Sequence, residues 1–166
     1  MIAKISSGKS FGGLVGYNEK NVASGSAELI GIENIASPNV IKETLEQVDS
    51  FNPICQKPTF HVSLSFPPNE MTLDNATLQA IANEFMQGLG YKDNPYAIYR
   101  YYDADNQHIH IVSTRIDWNG KRIKRTERIV NLQHKMKENT EMHSELALEK
   151  NYRRNTCLFC IKVFMP

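Results

Sequence analysis

Between residues 59 and 66 apolar and polar side chains alternate without a break, with Phe60, Val62, Leu64 and Phe66 on one register and Thr59, His61, Ser63 and Ser65 on the other. Successive side chains of a strand point to opposite faces, so the pattern predicts a half-buried β-strand, which Pro67 and Pro68 end. Residues 2–6 repeat the alternation over a shorter run and 28–32 more weakly. Residues 96–102 and 108–118 predict two more strands, and the short polar segment 103–107 makes them an antiparallel hairpin followed by an Asn119-Gly120 turn.

Elsewhere the apolar spacing is three and four. Phe11, Leu14 and Val15 share one face of a predicted helix over 11–20 that Ser10 caps, while Gly12, Gly13 and Gly16 thin it. Ser37-Pro38 reads as a cap followed by a first-turn proline, and Val40, Ile41, Leu45 and Val48 hold helical spacing until Phe51-Asn52-Pro53. Leu78, Ile81, Ala82, Phe85 and Leu89 mark an amphipathic helix closing at Gly88 and Gly90. Residues 127–150 predict a long helix with Ile129, Leu132, Met136 and Leu146 as its sparse apolar stripe. Strands separated by helices, with one hairpin, predict an α+β sandwich: a largely antiparallel central sheet, helices packed on one face, and a polar opposite face bearing His61, His108 and His110.

Composition narrows this picture without redirecting it. A chain of 166 residues suits one domain, taken as 1–150 with a tail of unclear role over 151–166. The formal charge of +1 gives no global sign of a nucleic-acid partner, so any polyanion must be met by a local patch. Cys55, Cys157 and Cys160 are too few and too uneven for a disulfide framework, which points to the cytoplasm, and the Cys157/Cys160 pair reads as incidental. The N-terminus lacks an apolar signal core, and no run reaches the roughly 18 apolar residues that span a bilayer.

The chemistry gathers at His108-Ile109-His110. On a strand these two imidazoles share a face, about 7 Å apart, and His61 lies on the polar register of another strand. Three such rings would form an open divalent-metal site able to polarise a phosphate; the alternative is a set of half-buried strand histidines bonded locally.

Gly16-Tyr17-Asn18, the segment 61–67 (His-Val-Ser-Leu-Ser-Phe-Pro) and the segment 103–112 (Asp-x-Asp-x-x-His-x-His-Ile-Val) stand in the order found in mobilisation relaxases. The chain therefore resembles the MobA/VirD2-like relaxases of the histidine-hydrophobe-histidine (HUH) nuclease superfamily, with a ferredoxin- or RRM-like sandwich. Residues 89–96 and the turn 117–121 are also similar to relaxases of mobilisable elements in Bacteroides-type bacteria. The resemblance covers about residues 1–150. It implies an enzyme that nicks and rejoins one DNA strand at an origin of transfer through a covalent 5′-phosphotyrosine, with accessory mobilisation proteins and a coupling protein as partners. The position matching the nucleophile is Tyr17. The implied cofactor is a divalent ion, Mg or Mn first, with Zn, Ni or another as alternatives.

Where many relatives carry a histidine seven residues before the pair, this chain has Tyr101, and Gln107 replaces a usual histidine or proline. The third ligand is thus His61 by first choice, with Asp103, Gln107 or Tyr101 as the alternatives, either as ligand or supporting one from behind, and with His61 itself alternatively in that supporting role. Tyr101 or Tyr102 could approach the metal as nucleophile, whereas Tyr99 and Tyr101, on one register, could stack bases or pack the sheet. Asn18 either caps a turn or orients a phosphate. Lys121, Arg122, Lys124, Arg125 and Arg128, beyond the histidine strand, are the candidate DNA contacts, with Arg100 and Arg115 as possible extensions if they face that side. Two rivals stay open: a rolling-circle replication initiator, for which Tyr152 would serve, and a catalytically impaired single-strand DNA-binding module.

Overall fold

A computed structural model describes residues 1–66, 73–104 and 106–123. Five strands, β1 (Ile2–Ser6), β2 (Ala27–Glu33), β3 (Thr59–Ser65), β4 (Tyr96–Tyr101) and β5 (His108–Thr114), form one sheet in the order β1-β3-β5-β4-β2. Every neighbouring pair is antiparallel. Three helices, α1 (Phe11–Ala23), α2 (Ile41–Asp49) and α3 (Asn75–Gly88), pack against it, so the α+β class and the antiparallel sheet are as expected. A 3₁₀ turn, Pro38–Val40, leads into α2. Among the described residues no helix is long and apolar enough to cross a membrane. The helix expected over 127–150, the boundary near 150 and the Cys157/Cys160 pair lie outside the described residues.

The helices do not share one face, as expected from the sequence, but divide between two. Leu78, Ile81 and Phe85 of α3 pack on Phe60, Val62, Leu64, Ile98, Ile109 and Ile111. Phe11 and Val15 of α1 and Ile41 and Leu45 of α2 pack on Ala97, Tyr99, Tyr101 and Val112. The reason lies in β4, whose residues are buried on both registers apart from the half-buried Arg100. The β3 half of the α1/α2 face keeps its polar register, which carries His61, Ser63 and Ser65.

Strand β5 ends at Thr114, short of the expected 118. The buried Asn94 side chain donates to both the Thr114 and Ile116 carbonyls and so draws the chain out of the ladder. Beyond it Asp117 builds a turn, its Oδ1 accepting from the Asn119 and Lys121 amides, and an isolated bridge joins Ile116 to Arg122.

Candidate active site

The sheet register brings the three histidines together. Ser63 lies opposite His110 and Ser65 opposite His108, so His61, on the same register of β3, falls diagonal to His110. Their rings meet edge to face with centroids 4.9 Å apart, and those of His108 and His110 lie 5.5 Å apart.

Each ring is held differently. His61 Nδ1 faces the Ser6 hydroxyl at 3.3 Å, because Ser6 of β1 pairs directly with His61, and this leaves His61 Nε2 buried without a partner. His110 Nδ1 is likewise buried and unpartnered. His108 is engaged on both sides, Nε2 with Asp103 Oδ1 at 3.2 Å and Nδ1 with the Asn106 carbonyl at 3.1 Å. Asp103 thus backs His108.

Burial penalises the charged form of His110 and, with repulsion from His61 and His108, brings its pKa down to about 4 against an opposing pull from Asp103. Burial lowers the pKa of His61 as well. Uncharged imidazoles with free lone pairs are what a divalent ion requires, so the donor chemistry fits. Among the described residues, however, no three His, Cys, Asp or Glu side chains stand at metal-binding spacing. The fit rests on two unpartnered nitrogens, with His108 beside them.

A depressed histidine pKa has a cost at low pH. Below the ordinary value of 6.5 the unfolded chain takes up protons that folded His110 and His61 refuse. The metal-free protein is therefore expected to be most stable above pH 6.5, to lose about 1–2 kcal/mol between pH 6.5 and 4 after allowing for solvent screening, and to level off from these groups below that. Urea melts across this range measure it.

Tyr101 fills the ground between these rings and α1. It lies opposite His108 in the register, and its ring centroid is 4.3 Å from that of His110 and 5.4 Å from that of His108. Its hydroxyl donates to Asn18 Oδ1 at 2.9 Å, and Asn18 Nδ2 donates to the Leu14 carbonyl at 2.8 Å. Burial, with Tyr17 and Asp103 adding to it, pushes the Tyr101 phenol up to about 12. On its outer side Tyr17 stacks against Tyr101 at 6.5 Å between centroids and 15° between planes. Tyr17 itself is 55% exposed, one ring removed from the histidines.

This geometry revises several expectations. Asn18, considered for a phosphate contact, follows Phe11 and Val15 onto the buried side of α1 and is 0% exposed, so it holds Tyr101 rather than facing a ligand. Gln107 points to the α3 side, where its amide bonds both backbone groups of Leu73, and is removed from the ligand set. Tyr99 and Tyr101 are buried, which realises sheet packing rather than a base-stacking platform. Arg100 reaches Asn75 of α3, away from the histidines. Lys121 and Arg122, expected beside the histidines, lie at the far end of β5 because that strand runs away from His108. Lys124, Arg125 and Arg128 are outside the described residues.

Sequence reasoning missed Ser6 and Asn21. Ser6 was findable by pairing strand 2–6 against 59–65. Asn21 donates to the Tyr17 carbonyl and, at 3.5 Å, to the Tyr101 hydroxyl. Replacing Tyr101 by Phe would leave Asn18 Oδ1 buried without a donor, and is expected to cost about 1–2 kcal/mol in a denaturant melt.

A family model described as a MobA/VirD2-like relaxase nuclease domain matches residues 17–151. No curated protein matches the chain.

Proposed function

We propose, because this chain belongs to the MobA/VirD2-like relaxase nuclease family, that it nicks one DNA strand at an origin of transfer by tyrosine transesterification and reseals it after transfer. The observation that carries the reading is the continuous contact from exposed Tyr17 through Tyr101 to His108 and His110, ending at two unpartnered histidine nitrogens.

In this reading Tyr17 Oη attacks phosphorus and the bond to the 3′ oxygen breaks, leaving a 5′-phosphotyrosine and a free 3′-hydroxyl. The phenol proton passes to water and the departing oxygen gains one, so the exchange balances. The ester retains the energy of the original linkage, and the 3′-hydroxyl can reverse the step. His61 Nε2 and His110 Nδ1, with His108 alongside, would hold a divalent ion. When bound there, an ion, Mg or Mn by preference, would supply charge withdrawal from a non-bridging phosphate oxygen and would favour phenolate over phenol. Tyr101 gives the Tyr17 ring a fixed wall, and the Asn18 clamp ties that wall to the helix bearing Tyr17. Ser6 orients His61 through Nδ1, as partners behind metal-bound imidazoles do, while Asp103 and the Asn106 carbonyl hold the His108 ring in place beside the two free nitrogens.

The test is a labelled single strand spanning the origin, incubated with Mg²⁺ or Mn²⁺ and with chelator. A detergent-resistant, metal-dependent adduct whose modified peptide contains Tyr17 is the expected result. Binding without an adduct under every condition would sink this reading in favour of a binding module.

A further inference from the structure

We infer that the end of the sheet remote from the histidines carries a second contact for single-stranded DNA, in which Lys57, Arg115 and Arg122 each neutralise a backbone phosphate of a short stretch of strand and Trp118 and Phe51 take an adjacent base. The nicking reading contributes only the kind of polymer; the site itself stands on separate observations.

The first is Arg115. It is only 9% exposed, and among the described residues its guanidinium has one long hydrogen bond, to the Lys57 carbonyl at 3.5 Å, and no carboxylate partner. A buried cation without a counter-charge is costly. Arg115 is not sealed in, however: with Lys57, Arg122, Ile54, Cys55 and Gln56 it lines an open cleft. Three cations converge on one concavity, and the missing negative charge can come from outside. A phosphodiester supplies it, with oxygens suited to the guanidinium fork.

The second observation is the apolar surface beside the cleft. Phe51, Ile54 and Trp118 are 47%, 88% and 43% exposed. The two aromatic rings lie 6.4 Å apart, tilted by 52°. They are also fixed in place. Trp118 Nε1 donates to the Asp93 carbonyl at 2.9 Å, and Asn52 Nδ2 donates to the Gly120 carbonyl at 2.7 Å. Gly120, at φ +72°, lies so close that a Cβ there would stand 2.6 Å from the Phe51 carbonyl oxygen. Two loops are thus bolted together to present rings next to cations, the combination that grips single strands by stacking and by charge. The Asp117 carboxylate is engaged by its own turn and faces Lys121 through the backbone.

Trp118 is the chain's only tryptophan, and its fluorescence reports on the site. The full chain carrying Tyr17→Phe, which removes the covalent step, is titrated with a ten-nucleotide oligothymidylate. Saturable quenching is expected, with log affinity falling against log salt at a slope of about −2, as three phosphate-neutralising cations imply for a single strand. Lys57→Gln with Arg122→Gln, both at exposed positions, should weaken binding roughly tenfold at low salt and flatten the slope to about −0.7. Trp118→Ala, read by anisotropy of a labelled oligomer, should weaken binding roughly tenfold. Absent quenching, or a slope unchanged in the double variant, overturns the site. Tighter binding of oligouridylate would assign it to RNA instead. Quenching by DNA in a protein that never forms an adduct would leave this site standing while the nicking reading fell, and an adduct without quenching would do the reverse.

Discussion

Replacing Tyr17 by phenylalanine is expected to abolish the covalent DNA adduct, by at least about a thousandfold, while the fold persists. The other phenols of the described structure are poorly placed to replace it. Tyr101 is buried, its hydroxyl is committed to Asn18, and its phenol is pushed up to about 12. Tyr99 is buried with its phenol pushed still higher, and Tyr102, although exposed, donates to Glu28 Oε2 at 2.6 Å. Among the described residues, Tyr17 alone combines exposure with contact, through one ring, to the histidines. Phenylalanine keeps the stack on Tyr101 and removes only the hydroxyl, so stability should move by no more than about 0.5 kcal/mol. The measurement is a denaturing gel of labelled strand after incubation with metal, beside a thermal melt. An adduct persisting in the variant would move the nucleophile elsewhere, with Tyr152, the residue a replication initiator would use, as the first to test.

Local pattern made most elements legible, because what fixes them lies within a few residues. The alternation in β3, the cap of α1 by Ser10 and the spacing of α3 all carry directly into the structure. What was not legible depends on partners distant in sequence. The helices were placed on one face because His61, His108 and His110 made the other look polar. Residues 96–101 held the contrary signal: Ala97, Tyr99 and Tyr101 on one register and Tyr96 and Ile98 on the other are apolar, the mark of a strand buried on both sides. Once β4 is covered twice, Phe11, Val15, Ile41 and Leu45 have a floor to pack on.

The candidate site shows the same division. That His108 and His110 share a face followed from alternation, but Gln107 could be excluded only once its amide was seen on Leu73. Asn18 was misjudged because the residue type suits turns and phosphates alike. Its place at the seventh position after Phe11, on the buried side of α1, decides for the interior. Arg115 enters the sequence reading only as a conditional extension of the DNA contacts, and its significance emerges only with Lys57, nearly sixty residues earlier in the chain, at the same cleft.

Replacing His110 by leucine is expected to lower metal-dependent adduct formation by about a hundredfold or more while leaving the metal-free protein as stable as before, or more so. Losing a group that merely supports a bound imidazole costs tenfold to a hundredfold, so losing a nitrogen that meets the ion belongs at or beyond the upper end. Stability should respond in the opposite sense, because His110 Nδ1 is a buried polar atom with no partner and the leucine has nothing to desolvate. The leucine also removes the group whose pKa is brought down to about 4, so the fall in stability from pH 6.5 to 4 should flatten. A histidine kept for structure would behave otherwise, with activity and melting temperature dropping together. His61→Leu should repeat the pattern more mildly on the stability side, since it also strands the Ser6 hydroxyl that faces Nδ1. Activity lost with stability retained in both variants would assign the two nitrogens to an ion, whereas full metal-dependent activity in either would remove that histidine from the site.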